Sequence, residues 1–227
     1  MTKENIISLT RAIRAMVQPG VGLALCKINV LHPPLWPDED HAISRAVPAR
    51  IREFTAGRTA ARQAMTDAGL PPAPVTTNRD RAPRWPDGLS GSITHTAHIA
   101  AAIVARQQDW PGLGLDLESA CAMDDGMAEL IRHPLDHPPP FLPPALASTL
   151  LFSAKEAAFK AQFPLTGLWI DYRAVALQFS ASEFSLNVQG VPLTGQWCTV
   201  HEIFATTVLI TDHQAALLRG SRQQSIR

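Results

Sequence analysis

The chain has 227 residues, of which 46% are hydrophobic and 18% charged, so it is long enough for one large globular domain or two smaller ones. Lys and Arg together number 20, as do Asp and Glu. This zero net charge provides no basic footprint for nucleic acid or for an anionic membrane, and we expect neither as a partner.

Cysteine usage and apolar runs indicate the compartment. Cys26, Cys121 and Cys198 are too widely spaced for a disulfide framework or a paired-cysteine zinc site, and are typical of thiols in a reducing compartment. Neither an apolar run of about 20 residues nor a signal-peptide pattern occurs. We therefore expect a cytoplasmic protein without a membrane span.

The N-terminal part of the sequence predicts helices and strands in alternation. Apolar residues recur at helical spacing from Ile6 to Val17, and Pro19 with Gly20 ends this helix. The elements that follow are a strand at 21–30, a mostly helical region at 38–68, an extended proline-containing connector at 81–88, and one or two strands within 91–105.

The C-terminal part predicts further helices followed by strands. The elements are a short helix at 120–132, a proline-rich loop at 133–144, a helix at 145–162, and antiparallel strands at 169–177, 184–188, 197–202 and 204–211. The polar tail from Arg219 is expected to be irregular. This order indicates an α+β fold with an N-terminal half at 1–112 and a C-terminal half at 113–227, although no internal sequence repeat supports duplication.

The hexapeptide LGLDLE at 113–118 carries the first functional signal. In a strand, its three leucines share one face and Asp116 and Glu118 share the other. Two neighbouring carboxylates repel each other unless a positive charge lies nearby, and Mg²⁺ prefers such oxygen ligands. The alternative is an edge strand with a hydrated acidic face. A hairpin with the preceding strand would bring His95 close to the carboxylates.

The segment FSAKEAAFKAQF at 152–163 carries the second signal. At helical spacing Glu156 lies about 40° from Phe152, on the border of an aromatic stripe rather than facing bulk water. Three interpretations remain open for this carboxylate: an ion pair with Lys160, a capping box with Ser153, or a third ligand beside Asp116 and Glu118.

These motifs occur in a characteristic order: S-x-x-H-T at 92–96, G-x-D-x-E at 114–118, and K-E-x-x-x-K at 155–160. The combination resembles the 4'-phosphopantetheinyl transferase superfamily, of the larger surfactin/enterobactin-synthetase type. The segment RAPRWPDGLSGSITH is most similar to the enterobactin synthase component D branch. The resemblance extends from Arg58 to Lys160.

The resemblance implies an α+β fold of two similar α/β subdomains related by a pseudo-twofold axis, in a monomer. It also implies an activity: Mg²⁺-dependent transfer of the 4'-phosphopantetheine moiety of coenzyme A to a serine of an apo acyl, aryl or peptidyl carrier protein, with release of 3',5'-ADP. Siderophore or secondary metabolite biosynthesis is the implied setting.

Individual residues acquire expected roles from the same resemblance. The expected metal ligands are Asp116, Glu118 and Glu156. The expected catalytic residues are Glu156 and Lys160. The expected coenzyme A contacts, from the nucleotide to the phosphates, are Arg58, Thr59, Arg81, Thr94, His95 and Lys155.

Several points stay open at the level of sequence. Arg79 and Arg84 compete with Arg81 for the nucleotide contact, and either Glu156 or a metal-bound water takes the serine proton. His98 stands where many members of the family have a small residue. Alternative functions are a metal-dependent phosphohydrolase that uses the same three carboxylates and a non-catalytic nucleotide-binding module.

Overall fold

A computed structural model describes residues 1–43 and 45–225 of the chain. The α-helices in this part are α1 (Lys3–Ala15), α2 (Pro37–Asp40), α3 (Pro48–Asp67), α4 (Asp125–Ile131), α5 (Pro144–Thr166) and α6 (Asp212–Ser225). The strands are β1 (Gly22–Lys27), β2 (Thr76–Thr77), β3 (Pro83–Arg84), β4 (Leu89–His95), β5 (Ile99–Arg106), β6 (Gly112–Ser119), β7 (Leu177–Phe179), β8 (Glu183–Val188), β9 (Val191–Val200) and β10 (Ile203–Ile210).

The strands form two principal sheets. One has the order β1-β5-β4, the other has the order β6-β10-β9-β8-β7, and β2 and β3 form a short separate pair. Neighbouring strands in these sheets are antiparallel. Helices and antiparallel sheets in one chain confirm the expected α+β class.

The predicted hairpin between β5 and β6 is wrong. β5 already pairs with β1 on one side and β4 on the other, so it has no free edge for β6. β6 pairs instead with β10, where Asp116 lies opposite Thr206. It also runs beside β4, whose hydroxyls replace backbone partners: Ser92 Oγ accepts from the Leu115 N–H at 3.0 Å. The end of β4 therefore still lies next to the acidic residues of β6.

The two faces of β6 are both covered. Leu113, Leu115 and Leu117 are at most 1% exposed and pack in a core that includes α1, as the alternation predicts. The other face lies directly against α5, because a Cβ added at Gly114 would come within 1.8 Å of the Ala157 carbonyl oxygen. Asp116 on this face is 3% exposed, which excludes a hydrated acidic edge.

Helix α5 begins at Pro144, one residue before the predicted start, and ends four residues later than predicted, at Thr166. Ser153 lies in its interior and bonds to Thr206 at 2.9 Å, so the capping-box interpretation of Ser153 and Glu156 is wrong. The core face of α5 is formed largely by alanines and leucines, whereas Phe152, Phe159 and Phe163 are only partly buried. The aromatic stripe therefore borders a groove instead of filling the core.

Two other C-terminal expectations also change. The predicted strand at 169–177 contains a short 3₁₀ helix, Tyr172–Ala174, and pairing begins only at Leu177. Arg219 lies within α6, so the expected irregular tail is helical up to Ser225, and the last two residues lie outside the described part. Along the described ranges, no helix combines the length and apolar character needed to cross a membrane.

Candidate active site

A cleft of about 300 Å³ is lined by residues of α3, β4, β6 and α5. It brings together eight residues that the sequence singled out: Arg58, Arg81, Thr94, His95, Asp116, Glu118, Glu156 and Lys160. We call Asp116, Glu118, Glu156 and Lys160 the acidic end of the cleft, and the arginines together with His95 and Glu53 its basic part.

Asp116 is the centre of the acidic end. Its Oδ1 accepts hydrogen bonds from Lys160 Nζ at 2.6 Å and from Thr94 Oγ1 at 3.0 Å. Its Oδ2 is buried and has no hydrogen-bond partner among the described residues. A buried carboxylate oxygen without a partner is unfavourable, so this atom is a candidate ligand for a cation.

Lys160 also lies 3.9 Å from Glu156 Oε2, so the ion pair considered from the sequence is present. Burial by itself would lower the pKa of Lys160, but the charges of Asp116 and Glu156 outweigh it and raise the pKa. Lys160 therefore carries its positive charge between two carboxylates at neutral pH.

Glu118 shows that one lysine does not balance the cluster. Burial raises the pKa of Glu118 to about 7, and the charge of Asp116 and, less strongly, that of Glu156 act in the same direction. Lys160 opposes this rise but does not cancel it. Burial first, and the neighbouring carboxylates second, thus disfavour the ionised form of Glu118.

The three carboxylates at the acidic end of the cleft are of a ligand type that suits a magnesium ion. Asp116, Glu118 and Glu156 offer only oxygen, the ligand that Mg²⁺ prefers, and both the unpartnered oxygen and the raised pKa of Glu118 indicate a need for a cation. Within residues 1–43 and 45–225, however, no three His, Cys, Asp or Glu side chains already converge as a metal cluster. Lys160 lies against Asp116 instead, and the Tyr172 hydroxyl donates to Glu156.

Arg58 projects from α3 into the basic part of the cleft and is 4% exposed. Its Nη2 donates to Thr77 Oγ1 at 3.1 Å, and its guanidinium carbon lies 4.0 Å from the centre of the Phe54 ring. Its Nε is buried without a partner among the described residues. The guanidinium is therefore held in place by these contacts, while one of its buried N–H groups lacks a partner among the described residues.

The burial of Arg58 affects its charge. Desolvation lowers the pKa of Arg58 to about 10, an effect that Glu39 opposes and that Arg50 and Arg62 reinforce. A phosphate would relieve this repulsion. Arg62 has another role, because it is 8% exposed and donates to the buried Glu39 at 2.6 Å.

His95 lies at the end of β4, on the rim of the cleft. Arg50 Nη1 donates to its Nε2 at 3.2 Å, and Glu53 Oε2 lies 3.7 Å from the same nitrogen. Neither Arg50 nor Glu53 was among the residues predicted to lie at the site. A signal was available, since Arg50, Phe54 and Gly57 recur at helical spacing on the face that also lines the cleft.

The three candidate arginines Arg79, Arg81 and Arg84 differ in whether they line the cleft. Arg81 has a φ of +71° in a tight turn, where its N–H donates to the Asn78 carbonyl oxygen at 3.0 Å. This turn places Arg81 on the cleft. Arg84 lines a separate hollow with Trp85, and Arg79 lines neither.

Two predicted contacts are not brought to the cleft. Thr59 is 5% exposed and donates its hydroxyl to the Thr55 carbonyl oxygen of its own helix at 2.9 Å. Lys155 is also 5% exposed and does not line the cleft, and its ammonium group donates to oxygens of Ile131, Asp136 and Tyr172. Adjacent residues of a helix point about 100° apart, so Lys155 and Glu156 face different surroundings. The positions of Thr59 and Lys155 therefore do not support contact with a nucleotide.

An apolar hollow of about 290 Å³ adjoins the cleft and shares Arg81, Glu156 and Lys160 with it. The aromatic residues that line it are Trp85, Phe159, Phe163 and Trp169. The polar cleft and the apolar hollow thus meet at Glu156 and Lys160.

The cleft combines carboxylates and a lysine with a buried arginine, and this charge distribution is compatible with a phosphorylated ligand. The model of the 4'-phosphopantetheinyl transferase N-terminal domain matches residues 33–105. The chain is 32% identical over 193 residues to the 4'-phosphopantetheinyl transferase PptT of Mycobacterium tuberculosis, covering 77% of this chain and 85% of that protein. The chain therefore belongs to the 4'-phosphopantetheinyl transferase superfamily.

Other relatives match over shorter spans. The 4'-phosphopantetheinyl transferase Svp of Streptomyces mobaraensis is 41% identical over 143 residues, which are 61% of this chain and 58% of that protein. Enterobactin synthase component D of Salmonella typhimurium is 36% identical over 141 residues, 57% of this chain and 56% of that protein. These relatives confirm the resemblance inferred from the motifs.

Proposed function

We propose that the protein transfers the 4'-phosphopantetheine moiety of coenzyme A to a serine of an apo carrier protein, with release of 3',5'-ADP and dependence on Mg²⁺. The main support is one cleft that joins the unpartnered Asp116 oxygen and Lys160 to Arg58 and His95. Coenzyme A carries a pyrophosphate and a 3'-phosphate, and these two groups need charge compensation at separate points.

The metal would be held by Asp116, Glu118 and Glu156. When bound, Mg²⁺ neutralises the pyrophosphate and stabilises the charge that builds on the leaving group. Lys160 supplies a further positive charge from a flexible stem at the same place. In phosphoryl transfer, such positioning and electrostatics account for most of the rate enhancement.

The serine of the carrier protein is a weak nucleophile and needs a base. We propose that Glu156 takes this proton, because it lines both the acidic end of the cleft and the adjoining apolar hollow. The phosphorus–oxygen bond to the serine forms as the bond to 3',5'-ADP breaks, and the serine proton moves to the carboxylate.

The nucleotide contacts in this proposal come from the N-terminal half, 1–112, and the metal ligands from the C-terminal half, 113–227. Arg58, Arg81, Thr94 and His95 bind coenzyme A, and Arg50 joins them through His95. We also propose that the halves are similar and related by a pseudo-twofold axis, since each places a long helix, α3 or α5, on an antiparallel sheet.

The partner is an acyl, aryl or peptidyl carrier protein of siderophore or secondary metabolite assembly, and we propose that the enzyme acts as a cytoplasmic monomer. The name of the relative enterobactin synthase component D supports the siderophore setting. The proline-rich segment 133–144 is the proposed approach of the carrier, and Phe141 within it is 68% exposed.

Incubation with coenzyme A, Mg²⁺ and a panel of apo carrier proteins tests this function by intact mass. We expect one carrier to gain the mass of a single phosphopantetheine, whereas its serine-to-alanine variant gains none. Chelation of the metal should stop the reaction, and renewed Mg²⁺ should restore it. Phosphate release without carrier modification would contradict the proposal and favour a phosphohydrolase.

A further inference from the structure

Tyr172 is the single tyrosine of the sequence, and its hydroxyl donates a hydrogen bond to Glu156 Oε1. The residue is half-buried, and its ring lies 5.6 Å from the ring of Phe152, between centroids. It belongs to the short 3₁₀ helix after α5, where the Asp171 side chain accepts from the Arg173 N–H at 2.7 Å. The hydroxyl thus reaches Glu156 from a segment that is itself capped.

Lys155 holds the backbone of the same tyrosine. Its Nζ donates to the Tyr172 carbonyl oxygen at 2.9 Å, to Asp136 Oδ2 at 2.9 Å and to the Ile131 carbonyl oxygen at 2.7 Å. The side chains of Lys155 and Asp136 are 3% and 2% exposed. Two consecutive residues of α5 therefore contact Tyr172, Lys155 at its backbone and Glu156 at its hydroxyl.

This arrangement restricts the Glu156 carboxylate. With Oε1 engaged by the hydroxyl, Oε2 is the oxygen directed toward Lys160, at 3.9 Å. The Glu156 side chain is 21% exposed, and a partly exposed glutamate on a helix otherwise samples several rotamers. A hydrogen bond from a packed aromatic residue selects one of them, and such bonds to a metal-binding carboxylate affect both its orientation and the metal's affinity.

We propose that Tyr172 is a positioning residue, which fixes the Glu156 carboxylate so that one oxygen remains available to the cation and the incoming serine. This inference rests on the proposed role of Glu156 in phosphopantetheine transfer. A purely structural role for Tyr172 makes a different prediction, because its ring packing on Phe152 does not require a hydroxyl.

Tyr172→Phe separates the hydroxyl from the ring, and Tyr172→Leu removes both. We expect kcat to fall about 10- to 100-fold in Tyr172→Phe, with more Mg²⁺ needed for half-maximal activity and an unchanged KM for coenzyme A. Its melting temperature should match the wild type, whereas Tyr172→Leu should also be less stable. Wild-type kcat in Tyr172→Phe would overturn the proposal, as would a raised KM for coenzyme A at constant kcat.

A second measurement needs neither turnover nor metal. Because the chain has one tyrosine, protein labelled with ¹³C at the tyrosine ζ carbon should show one tyrosine NMR signal, which reports the hydrogen bonding of this hydroxyl. We expect Glu156→Gln to shift the signal in the metal-free protein, and Glu183→Gln, at an exposed position of β8, to leave it unchanged. An unchanged signal in Glu156→Gln would overturn the proposed contact. If the wild-type protein transferred no phosphopantetheine, the proposed function would be refuted, but the NMR signal would still test the contact between Tyr172 and Glu156.

Discussion

Lys160 Nζ lies 2.6 Å from Asp116 Oδ1, although the two residues are 44 positions apart in the sequence. The contact joins α5 to β6 and places a positive charge against a carboxylate that is 3% exposed. Lys160 is itself only partly buried, with a side chain 26% exposed. It can therefore neutralise Asp116 and still reach an anion in the cleft.

The first prediction concerns stability in the absence of metal. Lys160→Met should lower the free energy of unfolding by about 1–3 kcal/mol, because Asp116 loses its counter-charge while remaining buried. Adding Asp116→Asn to this variant should recover part of the loss. Urea unfolding with a chelator present measures both effects, with the exposed Lys3→Met as the control. Equal stabilities of Lys160→Met and wild type would contradict the ion pair.

The second prediction concerns the metal. Asp116→Asn keeps the shape of the side chain but removes its charge, so transfer should fall by more than about 100-fold. Mg²⁺ should raise the melting temperature of the wild type, but not that of Asp116→Asn. Asp109→Asn, at an exposed position in the turn before β6, is the matched control. If Mg²⁺ raised the melting temperature of Asp116→Asn as much as that of the wild type, the metal would not bind at Asp116.

The third prediction tests the nucleotide end of the cleft. His95→Ala should raise the KM for coenzyme A about tenfold, the cost of one charge-assisted hydrogen bond, with a smaller effect on kcat. The penalty should disappear with dephospho-coenzyme A, which lacks the 3'-phosphate. His98→Ala provides the control, since His98 lies exposed in the turn between β4 and β5. A penalty of the same size for both substrates would mean that His95 does not contact the 3'-phosphate.

The fourth prediction follows from Glu118, whose pKa is raised from 4.5 to about 7. Between these values the folded protein holds a proton that the unfolded chain releases, so stability falls as the pH rises through this window. Glu118→Gln cannot ionise. The free energy of unfolding of Glu118→Gln, relative to that of the wild type, should therefore rise by on the order of 2 kcal/mol between pH 4.5 and pH 7.5.

The comparison requires metal-free protein, with urea unfolding of both variants at each pH. Mg²⁺ should reverse the trend for the wild type, because it binds the ionised carboxylate more tightly. A stability difference between Glu118→Gln and wild type that does not vary with pH would contradict the raised pKa.

Short-range patterns predicted much of the site. The alternation of leucine with acidic residues at 113–118 placed three side chains in the core and two carboxylates on the opposite face, as the structure has them. Helical spacing placed Glu156 near Phe152 and Lys160, and the structure agrees. Such patterns succeed because side-chain direction in a strand or helix depends only on local geometry.

Other features had no local signal. Tyr172 follows Glu156 by 16 positions in a segment predicted as strand, so nothing in the sequence linked its hydroxyl to that carboxylate. The partner of β6 could not be read from the chain, because Thr206 of β10 lies opposite Asp116 although the two residues are 90 positions apart. Lys155 was predicted to contact coenzyme A because it lies beside Glu156 in the motif. Its ammonium group instead donates a hydrogen bond to the Tyr172 carbonyl oxygen.

By itself, the amino-acid sequence determined the family of this protein, the faces of its acidic strand, and the order of its motifs, since these depend on residue type and spacing. The tertiary structure decided which charges meet: Lys160 on Asp116, Arg50 beside His95, and Tyr172 on Glu156. These contacts follow from the packing of α3 and α5 against their sheets. Packing depends on the whole chain: a rotation of α5 would separate Lys160 from Asp116, and a rotation of α3 would separate Arg50 from His95.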